Sequence, residues 1–168
     1  MAFTLYDATL PVFQQSLNSL LGLLDKAEAH AADKGVAMDT LLNATLAPDM
    51  FNFIRQVQIA TDHAKGCAAR LSGQDIPRYE DTEKTADELR ARIRRTLDFV
   101  ASVTPAQCAG AEDKELKLVF PWATYDFTGR RYATYWALPN FFFHVTTAYD
   151  ILRHKGVAVG KSDFLGPL

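Results

Sequence analysis

Two histidines in helical patterns are the side chains with the most obvious chemical potential. His144 lies about 75° from the centre of its helix's apolar face and shares a stripe with Asn140. His63 lies about 120° from the apolar centre of an earlier helix, and Gln58 lies about 100° from it on the opposite edge. Imidazole and amide groups from two helices can therefore face one cavity and hydrogen-bond a neutral polar ligand.

A metal site is the competing interpretation of the same residues. It needs three or four N, O or S donors, of which a His-x-x-x-His pair on one helical face would supply two. The residues four positions before and after His144 are Asn140 and Ala148, and neither is a good ligand for a transition metal. The pattern favours a hydrogen-bonded histidine. The alternative ligand set would combine His63 and His144 with a carboxylate such as Asp62 or Asp49.

Other catalytic signatures do not occur in the sequence. It contains no glycine-rich phosphate loop, no dinucleotide-binding pattern, no nucleophile elbow and no His-Glu-x-x-His. Cys67 and Cys108 are too far apart for a Cys-x-x-Cys site. The arginines between positions 90 and 95 can bind phosphate, but the acidic residues before them favour a solvated, ion-paired helix face. The sequence therefore identifies neither a catalytic residue nor a cofactor.

The composition is that of a single globular domain over residues 1–168. The chain is 48% apolar, and its 18 basic and 20 acidic residues give a net charge of −2. That balance carries no electrostatic signature of a nucleic-acid or anionic-membrane partner. No apolar run approaches the ~20 residues that cross a bilayer. Nothing at the start resembles an export signal, and two cysteines make no disulfide framework, so we predict a cytoplasmic protein.

Apolar periodicity predicts four amphipathic helices, over residues 10–34, 48–71, 83–103 and 140–155. Thr85 and Glu88 have the spacing of a capping box, although Asp81 or Thr82 could also be the cap. Gly35 and Gly73 stand where helices should end. A polar linker, 74–82, separates the second and third helices. The predicted fold class is all-α, a four-helix bundle.

An aromatic-rich connection, residues 114–137, separates the third and fourth helices. Part of it alternates as strands do, which predicts an irregular β-hairpin or an extended loop with Thr128-Gly129 in its middle. Its aromatic side chains should pack over one mouth of the bundle, with Trp122, Tyr125 and Trp136 as lid residues. Phe164 and Leu165 in the tail are expected to fold back onto the helices.

Four segments of the chain together resemble a known family: LYDATLPVF, LDKAEAHA, LAPDMFNFIRQVQIATDHAKGCAARLSG and PNFFFHVTTAYDILRHKGVAVGKSDFLG. They are similar to the domain-of-unknown-function family nineteen ninety-three, within the DinB/YfiT-like superfamily of proposed metalloenzymes. The resemblance covers essentially the whole chain. It implies a DinB-like four-helix bundle that forms homodimers.

The superfamily holds a divalent metal with one histidine from the second helix and a His-x-x-x-His pair from the last. By this resemblance His144 falls at the second histidine of the pair, Asn140 replaces the first, and the second-helix ligand falls at or near Gln58. At most one of three ligands is retained, so the metal site is predicted to be degenerate and the superfamily's thiol-dependent transferase and isomerase activities do not carry over.

The leading hypothesis is a cytoplasmic, homodimeric bundle that binds a small molecule where the metal site has degenerated. One alternative is a divalent-metal- or thiol-dependent transferase or isomerase. Another is a homodimeric interaction module whose seam is formed by Phe3, Tyr6 or the aromatic connection. The predicted pocket residues are Gln58, His63, Trp122, Asn140, His144 and Tyr149.

Overall fold

The structure is a computed structural model that describes residues 3–167, most of which are helical. In this range the α-helices are α1 (Leu5–Lys34), α2 (Met38–Leu42), α3 (Phe53–Ser72), α4 (Ala86–Ser102), α5 (Gly129–Tyr132), α6 (Leu138–His154) and α7 (Lys161–Leu165). An antiparallel hairpin of two strands, β1 (Glu115–Phe120) and β2 (Ala123–Thr128), precedes α5. Two short 3-10 turns lead from α4 to β1, and a π-helical turn, Ala133–Ala137, joins α5 to α6.

Side-chain caps set the ends of the long helices. The Thr85 hydroxyl accepts a hydrogen bond from the backbone N–H of Glu88, whose carboxylate accepts one in return, as the sequence predicts. Thr4 caps α1 in the same way, so that helix begins at Leu5 rather than at the predicted position 10. Gly35 and Gly73 end α1 and α3 with φ of 64° and 77°, a conformation that favours glycine.

The apolar faces of the four longest helices meet in one core. Helix α3 packs against α4 and α6, and α1 packs against all three. Phe13 of α1 and Phe141 of α6 meet edge to face at a centroid distance of 4.7 Å. Each fully buried large apolar side chain contributes roughly 1.5–3 kcal/mol relative to exposure. The fully buried side chains of this core include Leu10, Leu17, Leu20, Leu23, Leu24, Phe53 and Leu89.

The aromatic connection forms a hairpin, but the predicted position of its turn is wrong. The strands turn at Pro121 and Trp122, and the residues from Gly129 onward are helical. Gly129 serves a close approach instead of a turn, because a Cβ there would lie 1.8 Å from the carbonyl oxygen of Ala111. Its N–H donates to the carbonyl of Lys114 at 2.8 Å, which fixes the base of the hairpin against the start of α5.

Trp136 is the centre of the aromatic packing. The rings of Phe120, Tyr125 and Phe127 lie 5.7, 5.1 and 5.9 Å from it, so the hairpin covers the side of the segment that leads into α6. Pro139 explains the π-helical turn at this point, since a proline lacks the N–H and displaces the carbonyl four residues earlier.

The chain beyond α6 returns to the helices, as predicted. Phe164 packs edge to face on Tyr149 at 5.8 Å, and the side chain of Gln15 donates to the carbonyl of Leu165 at 2.8 Å. Within residues 3–167 no helix combines the length and apolar character needed to traverse a membrane.

Candidate functional site

The structure brings together the two histidines singled out by the sequence. His63 of α3 and His144 of α6 have ring centroids 6.0 Å apart and ring planes inclined by 14°. Gln56, near the start of α3, contacts His144 of α6, and Arg70, near the end of α3, donates to the Tyr132 hydroxyl of α5. Helix α3 therefore runs antiparallel to the helical segment 129–154. The imidazoles therefore lie within the contact between α3 and α6, the most extensive helix–helix contact in residues 3–167.

Gln56 fixes the orientation and tautomer of His144. Its side-chain amide nitrogen donates to the carbonyl of Phe51 at 3.1 Å, which directs its Oε1 towards the His144 Nδ1 atom at 2.7 Å. Because a carbonyl oxygen only accepts, Nδ1 must carry the hydrogen. In the neutral ring the Nε2 atom of His144 therefore keeps its lone pair and is a hydrogen-bond acceptor.

Both imidazoles are neutral at pH 7. Burial lowers the pKa of His63 to about 4, with further contributions from His144, Arg70 and Lys65. Burial also lowers the pKa of His144 to about 4, and the positive charge of Arg55 acts in the same direction. Desolvation and nearby cations disfavour the charged imidazolium, so each ring offers one donor and one acceptor nitrogen.

Three imidazole nitrogens remain available to a ligand. Neither nitrogen of His63 nor the Nε2 atom of His144 forms a hydrogen bond to any residue in the range 3–167. In that same range every side-chain nitrogen and oxygen that solvent cannot reach has a hydrogen-bond partner. The three nitrogens must therefore be reached by solvent, although His144 is only 9% exposed.

Gln58 and Asn140 make their hydrogen bonds elsewhere. The amide oxygen of Gln58 accepts from Arg55 at 3.2 Å, and its nitrogen donates to Glu83 at 2.9 Å. The amide nitrogen of Asn140 donates to the carbonyl of Trp136 at 2.7 Å. Gln58 thus joins α3 to the linker before α4, while Asn140 satisfies a carbonyl of the π-helical turn.

Trp122 and Tyr149 are also occupied by other contacts. Trp122 stacks on Phe120 at 5.2 Å and is 76% exposed at the turn of the hairpin. Tyr149 packs against Phe164 of α7. Of the six residues predicted for the pocket, the structure places only the two imidazoles against each other.

Sequence reasoning missed Gln56, the residue that binds His144. It stands seven positions before His63, which is two helical turns and therefore the same stripe of α3. Ala60 lies between them on that stripe, so the stripe combines polar and apolar side chains. A search for polar residues spaced by seven would have placed Gln56 and His63 on one face of α3, but it would not have shown that this face meets His144.

The residues at this site do not fit a divalent transition metal. The partner of His144 is a neutral amide, which is a weak ligand for such an ion. The Asp62 carboxylate binds Lys65 and Arg92, each at 2.8 Å. Across residues 3–167, no three His, Cys, Asp or Glu side chains converge as a metal site requires.

The chain is similar to one protein family and to a solved structure. A family profile described as "Domain of unknown function (DUF1993)" matches residues 5–165. A crystal structure of a DinB family member protein from Shewanella denitrificans is 47% identical, with a TM-score of 0.91 over 98% of this chain and 93% of that one. Among curated proteins no match to this chain is found.

Proposed function

Because the chain belongs to the DUF1993 family and has a DinB-like fold, we propose that it is a DinB-like four-helix bundle that binds a small, neutral, polar molecule at the histidine pair. The single observation that carries this proposal is the set of three solvent-reachable imidazole nitrogens on His63 and His144. A solvent-reachable nitrogen without a protein partner can hydrogen-bond a ligand without breaking a contact within the protein.

The chemistry of the pair defines the ligand class. His144 Nε2 would accept a hydrogen bond from an O–H or N–H group, and the neutral His63 would add one donor and one acceptor. An alcohol or amide supplies both kinds of partner. A cationic ligand is disfavoured, because Arg55, Lys65 and Arg70 already place positive charge around the rings.

The other predicted pocket residues would contact the ligand only if their side chains moved. Asn140 follows the π-helical turn one helical turn before His144, so a rotation of its side chain would bring its amide towards the pair. Gln58, Trp122 and Tyr149 would have to give up their present contacts to reach the same ligand.

The test is an NMR titration of the imidazoles with a panel of small neutral amides and alcohols. We expect binders to shift the ring nitrogens of His63 and His144, and His144→Phe to abolish those shifts because it removes the acceptor. His154→Gln is the matched control, since His154 is exposed at the end of α6. Binders that act equally on His144→Phe and the parent protein would refute the proposal.

The alternative is a divalent-metal- or thiol-dependent transferase or isomerase. The lone pair on His144 Nε2 could bind one ion, but the other ligands would have to come from side chains that have other partners in the structure, such as Asp62. Elemental analysis of protein purified without chelators separates the two proposals. One zinc or nickel per chain would support the enzyme, whereas the binding protein should contain metal far below stoichiometry.

A homodimer is a further part of the proposal, with or without a ligand. Phe3 and Tyr135 are 80% and 73% exposed and line one groove of about 670 Å³ between the start of α1 and α5. The groove also carries Arg130 and Arg131 on one element and two acidic residues, Glu112 and Asp113, on another. Such a surface could pair with itself, because a two-fold axis between its basic and acidic elements would bring the arginines of each copy to the acidic residues of the other.

Sedimentation analysis tests this seam. We expect Tyr135→Glu to weaken self-association at least tenfold, because it places a charge in the apolar part of the contact. Trp122→Glu is the matched control, since Trp122 is equally exposed but lies at the turn of the hairpin. A protein that is monomeric at all concentrations, or a dimer that the control variant splits, would contradict the proposal.

We also propose that the protein works in a reducing compartment such as the cytoplasm. Cys67 and Cys108 are both free and buried. Burial raises the pKa of the Cys67 thiol, so this side chain is a packed thiol and not a thiolate nucleophile.

A further inference from the structure

A groove of about 460 Å³ lies between the α3–α4 linker and α4, built from residues other than the histidine pair. Arg78 and Thr82 line it from the linker, and Arg95 lines it from α4. Its volume is in the range that small-molecule ligands occupy. Its distinguishing feature is that two of its guanidinium groups have unused hydrogen-bond donors.

Tyr79 holds the Arg95 guanidinium in place. The Arg95 carbon Cζ lies 3.5 Å from the centroid of the tyrosine ring, and the Tyr79 hydroxyl donates to the Arg95 carbonyl at 3.3 Å. Lys65 and Arg92 also lie over this ring, at 4.8 and 5.4 Å. Stacking uses the face of a guanidinium and leaves the N–H donors at its edge free.

Those donors have no partner within the part of the chain that is described. Neither Arg78 nor Arg95 donates a side-chain hydrogen bond or pairs with a carboxylate in residues 3–167. By contrast, Arg92 in the same groove is paired with Asp62, Asp81 and Glu83. The groove therefore contains two guanidinium groups whose hydrogen-bonding capacity is unused.

Three glutamates, Glu80, Glu83 and Glu88, balance the formal charge of the three arginines that line the groove. Glu83 is bound to Arg92 and Gln58, and the Glu88 carboxylate accepts from the N–H groups of Lys84 and Thr85. Those backbone hydrogen bonds lower the pKa of Glu88. Glu80 is the acidic side chain of the groove that has no such partner within residues 3–167. An anion is therefore favoured by the unused hydrogen-bond donors of Arg78 and Arg95 and not by an excess of positive charge.

From this geometry we infer that the groove binds a small oxyanion, a phosphate or carboxylate group, through the guanidinium groups of Arg78 and Arg95. The planar fork of each guanidinium matches two oxygens of such a group. Thr82 also lines the groove, and its hydroxyl would be a further hydrogen-bond donor. This site goes beyond the function proposed at the histidine pair and does not depend on it.

The experiment uses inorganic phosphate as the probe and follows the arginine Nε–Hε signals by NMR. We expect saturable shifts at Arg78 and Arg95, with sodium chloride at the same ionic strength producing none. Arg95→Gln should weaken phosphate binding about tenfold or more, because it removes charge-assisted hydrogen bonds. Glu80→Gln should tighten binding, because it removes the opposing charge.

Arg94→Gln is the matched control. Arg94 is exposed on the same helix but is not a groove residue, so its replacement removes the same charge. Its affinity for phosphate should stay within about twofold of the parent protein. A parallel titration with sodium acetate identifies which oxyanion is preferred. The inference is overturned if chloride reproduces the shifts, if Arg94→Gln weakens binding as much as Arg95→Gln, or if neither phosphate nor acetate binds.

Discussion

Replacing Arg92 with methionine is expected to lower the free energy of unfolding by about 3 kcal/mol or more. The Arg92 side chain is 1% exposed and contacts Asp62, Asp81 and Glu83 at 2.8 to 3.2 Å. It also donates to the Thr61 hydroxyl at 2.7 Å and to the carbonyl of Glu80 at 3.1 Å. Methionine keeps the aliphatic packing but leaves these acceptors without their cation.

Urea denaturation of three variants separates the buried ion network from a general charge effect. Arg94→Met removes an exposed arginine on the same helix and should change stability by less than about 0.5 kcal/mol. Glu83→Gln in the Arg92→Met background should recover part of the loss, because the orphaned carboxylate is then neutral. Equal stabilities of the Arg92→Met and Arg94→Met proteins would show that the network does not hold α3, the linker and α4 together.

The same residue shows where sequence reasoning reaches its limit. The acidic residues before and at the start of α4 correctly indicated ion pairs with its arginines, since Arg92 pairs with Asp81 and Glu83 and Arg90 pairs with Asp87. The prediction of a solvated face is wrong for Arg90 and Arg92, which are both buried. Arg90 pairs with Asp25 and Glu28 of α1, and the linker covers Arg92. Periodicity describes one helix at a time and contains no information on how a polar linker is routed.

The fold was easier to predict from the sequence than the site, because the sequence signals for helix ends are local. Caps at Thr85, Gly35 and Gly73 require only neighbours in sequence, and the structure has all three. The predicted position of the hairpin turn was wrong for a non-local reason. A glycine is required at position 129 because the backbone there approaches Ala111 closely, and turn-forming residue types do not reveal such a contact.

The site itself depends on which side chains meet across two helices. The position of His144 on an inward flank could be predicted from the apolar face of its own helix. The choice of Gln56 rather than Gln58 as a neighbour could not, because two residues on α3 differ by 200° in direction and the rotation of α3 against α6 decides between them. That rotation results from packing of the whole core.

Lowering the pH from 6.5 to 4 is expected to destabilise the protein through its histidine pair, by on the order of 3 kcal/mol per imidazole. In the folded state the pKa of His63 and of His144 is about 4, below the ordinary value of 6.5. Between these values the unfolded chain binds protons that the folded protein excludes, so stability rises with pH in this window. The contribution is complete above pH 6.5 and is lost as the pH falls towards 4.

Urea denaturation at pH 7, 6 and 5 isolates this effect from the carboxylates. Hydrogen bonds lower the pKa of Asp7, Glu88 and Asp163, so the stabilisation from these groups is lost at lower pH. The double variant His63→Gln/His144→Gln removes both titrating rings while keeping a donor for Gln56, and its stability should be nearly flat from pH 7 to 5. His154→Gln, which changes an exposed histidine of the same helix, should retain the parent slope. If the double variant loses stability as steeply as the parent, the imidazoles are not excluded from protons by their burial, and the neutral hydrogen-bonding pair on which ligand binding rests does not exist.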